Sequence, residues 1–147
     1  FKEIGRILRP GGIFVAYDCD FPPLLPFVDA EVLFEEVSRK ADQLCVERKL
    51  TQDVVKYEKS GHLSRMKASG EFRVCKEALL HNQEVGSAER LAFLVRSQGH
   101  ANTALAGGVT EQEIGLDTLQ SRLTKITGPG SFPFYFCYRL RIGFKAL

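Results

Sequence analysis

Residues 1–23, FKEIGRILRPGGIFVAYDCDFPP, decide how the rest of the chain is read. Ile4, Ile7 and Leu8 recur at helical spacing, with Lys2, Glu3, Arg6 and Arg9 on the other side. That spacing predicts an amphipathic helix over 1–9. Pro10 has no amide hydrogen to continue the helix, and the paired Gly11-Gly12 permit an abrupt reversal. The run IFVAYDC, 13–19, is apolar at both parities and rich in β-branched and aromatic residues. It reads as a buried strand of the kind found in the middle of a parallel sheet. Helix, glycine turn and buried strand make half of a βαβ unit, so the expected class is α/β.

The strand runs out in Asp18, Cys19, Asp20 and Phe21 before Pro22-Pro23. In open α/β sheets ligands sit beyond the carboxyl ends of the strands, which makes this tip the best-placed functional position in the chain. Acidic and proline-rich residues also end strands in solvent, and the sequence leaves both readings open.

Working outward, residues 28–49 place Ala30, Leu33, Phe34, Val37, Ala41, Leu44 and Cys45 on one stripe of a long amphipathic helix. Its charged residues read as a solvated face, with Glu35–Arg39 and Glu36–Lys40 at i,i+4. A polar stretch follows, then a short helix over 62–67 that Gly70 ends. EFRVCKEALLHN, 71–82, alternates in part and reads as a strand. Ser87 suits the N-cap of a helix over 88–98 ended by Gly99, and 101–106 adds a turn before Gly107-Gly108. Thr110 and Glu113 have capping-box spacing. The helix they begin turns Ile114, Leu119, Leu123 and Ile126 inward and closes at Gly128-Pro129. Residues 133–145 alternate most cleanly: Phe134, Phe136, Tyr138, Leu140, Ile142 and Phe144 against Tyr135, Cys137, Arg139, Arg141 and Gly143. With Arg139, Arg141 and Lys145 and no acid, this segment reads as a sheet strand with one polar face, or as a stacking platform for nucleic acid.

Composition narrows the functional classes. With 147 residues, 44% hydrophobic and 26% charged, the chain has the size and make-up of ordinary globular protein, which excludes collagen-like, coiled-coil and long disordered chains. A formal net charge of +2 gives no strong electrostatic case for nucleic acid. No apolar run approaches the roughly 18 residues that span a bilayer, and no secretory leader is visible, so no membrane partner is expected. Cys19, Cys45, Cys75 and Cys137 are widely spaced in apolar settings, which favours buried thiols over a disulfide framework and a cytoplasmic location. His62, His81 and His100 lack metal-ligand spacing, and no metal site is expected. His81 ends the strand over 71–82, where it reads as a satisfied strand-end histidine or as a polar substrate contact. The only methionine is Met66, and the chain opens at Phe1 inside a helical pattern, so these residues are expected to be part of a larger functional unit.

The passage FKEIGRILRPGGIFVAYD, through Arg6, Leu8, Arg9, Pro10, Gly11 and Gly12, resembles the helix, R-x-L-R-P-G-G turn and fifth strand of class I S-adenosylmethionine-dependent methyltransferases. The resemblance is specific over 1–20 and topological beyond. It implies a Rossmann-like α/β fold of which residues 1–147 form the carboxyl-terminal half. The strands over 71–81 and 133–145 would be the family's sixth and seventh, the seventh lying antiparallel between the fifth and sixth. Residues 82–131 would then be a helical insert that caps the substrate pocket or serves packing alone. The family's acidic residue and G-x-G-x-G cofactor loop are absent, as is its acidic ribose-binding residue, and Gly11-Gly12 and Gly107-Gly108 do not replace them.

The resemblance implies methyl transfer from S-adenosylmethionine to an acceptor, with the cofactor held outside these residues and the fragment alone inactive. Catalysis in such enzymes is mainly alignment of nucleophile, methyl carbon and sulfur, so no triad is sought and no catalytic residue is named. The substrate side falls to Tyr17, Asp18, Asp20 and Phe21, with Arg90, Gln98 and His100 of the insert as further candidates. Asp18 or Asp20 would orient the nucleophile or accept its proton. Arg90 would pair with a substrate carboxylate, or else with Glu84 or Glu89 at the surface. A small-molecule substrate is expected. Two other readings stand beside this one. The first is a non-catalytic module, assembling as a homodimer or with another chain through the strand edge at 13–19. The second is a nicotinamide-dependent doubly wound enzyme.

Overall fold

The computed structural model describes residues 1–52 and 58–147. The polar stretch read between the long helix and residue 62 therefore lies partly outside the described residues. The chain is mixed α/β, with elements in the order α1 (Lys2–Ile7), β1 (Ile13–Cys19), α2 (Val28–Glu47), α3 (His62–Ala68), β2 (Val74–Gly86), α4 (Ala88–Ser97), α5 (Gly99–Ala106), α6 (Glu111–Ile114), α7 (Leu116–Thr127) and β3 (Phe132–Phe144).

The sheet is three-stranded, antiparallel and ordered β1-β3-β2. Ile13 pairs with Phe144 and Cys19 with Tyr138 along the β1–β3 register. At the far side Arg73 N–H donates to Phe144 O at 2.8 Å. The last strand in sequence is thus the middle strand in space. This corrects the burial of both faces expected for residues 13–19. Among the described residues β1 is paired on one side only, and Ile13, Val15 and Tyr17 are 55%, 41% and 75% exposed. The other face of β1, Phe14 and Ala16, is half-buried. A continuous apolar run cannot tell a strand covered on both faces from one whose second face is open.

The described residues group into two compact units. The first holds 1–21, 58–82 and 136–147. Its α1 stops at the Pro10-Gly11-Gly12 turn, where Gly11 takes φ +71°. The turn is tied down by Gly11 N–H to Ala146 O at 3.0 Å and Lys145 N–H to Gly12 O at 2.9 Å. Lys145 Nζ also donates to Gly5 O and Leu8 O, at 2.6 and 2.7 Å, satisfying carbonyls that the end of α1 leaves without helical partners. Phe1, Phe14 and Phe72 form an aromatic cluster, with the Phe14 and Phe72 rings stacked at 5.9 Å. Phe72 and Met66 lie over Gly143 of β3.

The second unit holds 22–52 and 83–135. Ala30, Leu33, Phe34, Val37, Ala41 and Cys45 of α2 are buried, as are Leu91 and Val95 of α4, Ala101 and Ala104 of α5, and Leu119 and Leu123 of α7. The charged face of α2 does not form the i,i+4 pair expected for Glu36, which meets Arg122 of α7 at 3.6 Å instead. The single helix expected after Thr110 is divided, because Gly115 adopts a left-handed φ of +89° between α6 and α7. The Thr110–Glu113 capping box and the Ser87 cap form as the spacing predicts.

β2 begins and ends later than the alternation suggested. Gly70 at φ +72° turns the chain out of α3, and the Ser87 cap delays α4, so Gln83–Gly86 continues the strand. All four cysteines are free thiols; Cys45 is buried and the others are half-buried. No described helix is long and apolar enough to cross a membrane.

Candidate functional site

The carboxyl end of β1 places Tyr17 and Asp18 on a cavity of about 130 Å³, whose wall is completed by Ala16, Lys59, His62 and Arg141. Three separate stretches converge here. β1 contributes its tip, the approach to α3 contributes Lys59 and His62, and β3 contributes Arg141. Antiparallel pairing sets Asp18 opposite Arg139 and Ala16 opposite Arg141, so the polar parity of β3 meets the tip of β1.

The charges form a connected network. Asp18 Oδ2 lies 2.9 Å from Lys59 Nζ. Glu77 of β2 is shared: Arg139 Nη1 donates to its Oε1 at 3.1 Å, and Arg141 Nε donates to its Oε2 at 3.2 Å. Arg139 Nη2 also lies 3.8 Å from Asp20 Oδ2. Arg141 differs from the rest in being 5% exposed, the one buried charged residue among those described. Burying a guanidinium is unfavourable unless carboxylates and other acceptors replace its water. His62, which meets Phe1 edge to face at 6.3 Å, carries a buried Nδ1 with no hydrogen-bond partner among the described residues. Cys19, next to Asp18, has its thiol held above the usual range by burial and then by the charges of Asp20 and Asp18.

The expected site residues divide between the units. Tyr17 and Asp18 line the cavity, and Asp20 joins the same network through Arg139. Phe21 packs edge to face on Phe136 at 6.1 Å and is not on the cavity wall. Arg90, Gln98 and His100 belong to the second unit. The Arg90 guanidinium is committed to Glu84 and to Val85 O, at 2.6 Å for the latter, and lies over the Phe134 ring. Gln98 closes α4 and donates from Nε2 to Leu94 O at 3.3 Å. The His100 carbonyl accepts from Cys45 Sγ at 3.3 Å. His81 is exposed on β2.

Lys59, His62, Glu77 and Arg141 were not singled out as site residues from the sequence. The signal for Arg141 was its place on the polar parity of 133–145, but alternation alone reads as a solvent face. The nucleic-acid reading of that segment loses support, because Arg139 and Arg141 both bind Glu77 and Arg141 is buried.

The residues present do not fit an adenosyl cofactor. A nucleoside-binding loop needs free backbone amides at glycines. Here the Gly11 and Gly12 amides are spent on Ala146 O and Arg9 O, and those of Gly107 and Gly108 on Thr103 O and Leu105 O. Among the described residues no group of His, Cys, Asp and Glu could hold a metal ion.

The second unit has a larger cleft between α2 and α7, about 380 Å³, lined by Val32, Leu33 and Ile126 with Glu36 and Arg122 across its mouth. It is a seam between packed helices without a buried charge. The β1 tip is smaller, but it holds the buried polar groups that site chemistry requires. Against known proteins, no family model and no curated protein matches the chain.

Proposed function

We propose that residues 1–147 form the substrate side of a class I S-adenosylmethionine-dependent methyltransferase, with the methyl acceptor held at the carboxyl end of β1. The observation that carries this reading is the strand order. The last strand enters antiparallel between the other two, as the resemblance of residues 1–18 to the family's helix, turn and fifth strand requires of a seventh strand. The Pro10-Gly11-Gly12 reversal is consistent with it, running from α1 directly into β1. Tyr17 and Asp18 would contact the acceptor, and Asp18, already accepting from Lys59, would orient its nucleophile. The cofactor is assigned to none of the residues described.

Calorimetry on the full native chain with S-adenosylhomocysteine and with NAD tests this reading. Binding of the first and not the second is expected. Binding of NAD, or of neither, would overturn it.

A second reading rests on a specific observation. The two sheet edges differ: β2 carries Lys76, Glu77 and Glu84, whereas β1 has Asp18 as its only charge and exposes Ile13, Val15 and Tyr17. Unguarded apolar edges pair with other strands. On this reading the chain is an interaction module that assembles through β1. Light scattering of the native protein and of Val15→Lys tests it. A monomer in both, with unchanged solubility, would remove it.

A further inference from the structure

We propose that the cavity at the tip of β1 binds the carboxylate of a small organic acid, held chiefly by Arg141, with Lys59 and His62 beside it. The inference rests on the reading of that tip as an acceptor site and names the substrate class.

Arg141 carries five N–H donors and is almost wholly buried. Its Nε is used on Glu77, whose other oxygen is taken by Arg139. No described residue accepts a hydrogen bond from the two terminal nitrogens of Arg141, and since they are not buried polar atoms lacking a partner, they open onto the cavity. A guanidinium buried on every side but this one presents two N–H-bearing nitrogens to the cavity, and the paired oxygens of a carboxylate match that fork. His62 adds a buried polar atom, Nδ1, that no described residue satisfies. Both residues line the same cavity.

Size and charge select within the class of anions. A cavity of about 130 Å³ has room for a carboxylate on a short carbon stem. The charged residues on its wall are Lys59 and Arg141 against Asp18. Lys59 and Asp18 offset each other at 2.9 Å, and Arg141 shares Glu77 with Arg139, so the cavity offers hydrogen bonds with little surplus positive charge, which suits a monoanion better than a phosphate dianion. An ammonium substrate finds one carboxylate there, and it is already paired.

The test is a titration of the full native chain, followed by nuclear magnetic resonance at Arg141 Nε–H and the His62 ring. The probes are propionate, inorganic phosphate and propylammonium. Propionate should give saturable shifts at both residues. Asp18→Asn removes the only carboxylate on the cavity wall and frees Lys59, and should tighten propionate by roughly three- to tenfold. Arg141→Gln should weaken it at least about tenfold. That variant also strips Glu77 of a partner, so Asp18→Asn, at a half-buried strand end, carries the decision if Arg141→Gln fails to fold. Absent shifts, weaker propionate binding in Asp18→Asn, tighter binding of phosphate than of propionate, or saturable binding of propylammonium would each overturn the proposal. S-adenosylhomocysteine calorimetry on the same sample separates the two ideas. Propionate binding without S-adenosylhomocysteine binding overturns the methyltransferase reading alone, and the reverse overturns the carboxylate site alone.

Discussion

Gly143→Ala should destabilise the protein by about 1–2 kcal/mol, through steric crowding alone. Gly143 lies in the middle strand, paired with Phe14 of β1. A Cβ there would sit 2.7 Å from Cγ and Cδ1 of Phe72 and 3.0 Å from Cε of Met66, where ordinary contact begins at 3.4 Å. Phe72 is buried and stacked on Phe14, and Met66 is fully buried, so the ring cannot swing out to solvent. Overpacking of this kind costs about 1–3 kcal/mol, against about 0.4–1 kcal/mol recovered because alanine restricts the unfolded chain. Gly143 does not take a positive φ, so backbone strain adds nothing. Urea unfolding followed by circular dichroism measures the change, with an unaltered slope showing that the denatured state is the same. The decisive comparison is a cycle with Phe72→Leu, which shortens the group that the new methyl strikes. The double variant should be more stable than the two single effects predict by about 1 kcal/mol. Strict additivity, or a neutral Gly143→Ala, would refute the claim that this glycine is required by the approach of Phe72.

Three further outcomes follow from local geometry. Lys49, past the end of α2, holds a left-handed φ of 57°, so Lys49→Gly should raise stability by up to about 1 kcal/mol in the same urea assay, and a loss would contradict the strain. Glu113 is held below its ordinary value of 4.5 by the Thr110 amide and hydroxyl and then by Arg48, so its contribution is present above that value and lost as pH falls through the lowered one. The stability gap between the native protein and Glu113→Gln should therefore open as pH rises from acid to neutral, and a pH-independent gap would count against this account. The Cys19 thiol is held high by burial and by Asp20 and Asp18, so alkylation resolved by mass spectrometry should rise with pH later than for a free thiol, with Asp20→Asn moving it earlier. A Cys19 profile matching that of the free thiol would refute it.

Much of the architecture was legible from local chemistry. The stop at Pro10, the reversal at Gly11-Gly12, the Ser87 cap and the Thr110–Glu113 box each rest on side-chain or backbone constraints that act within a few residues. What escaped was set by neighbours far along the chain. IFVAYDC reads alike whether one face or two are covered, and what leaves Ile13, Val15 and Tyr17 open is that the described residues leave that face of the sheet largely uncovered. The break at Gly115 was hidden because an isolated glycine in a helical pattern is usually tolerated. The site was half legible. Position at a strand end picked out Tyr17 and Asp18, whereas Lys59, His62 and Arg141 join them through strand register and the placement of α3, which no motif announces.

The placement of β3 also bears on the order of events as the chain is made. Ile13 pairs with Phe144, across almost the whole described sequence, and β2 likewise meets β3 when that strand exists. During synthesis the β1–β3 and β2–β3 ladders wait for β3, while α2 and α4–α7 precede it and have helical neighbours to pack on. Closing so long a loop is entropically slow, and sheets built on such distant pairings fold late. The apolar, nearly uncharged face of β1 is therefore among the last surfaces of the described residues to gain its β3 ladder.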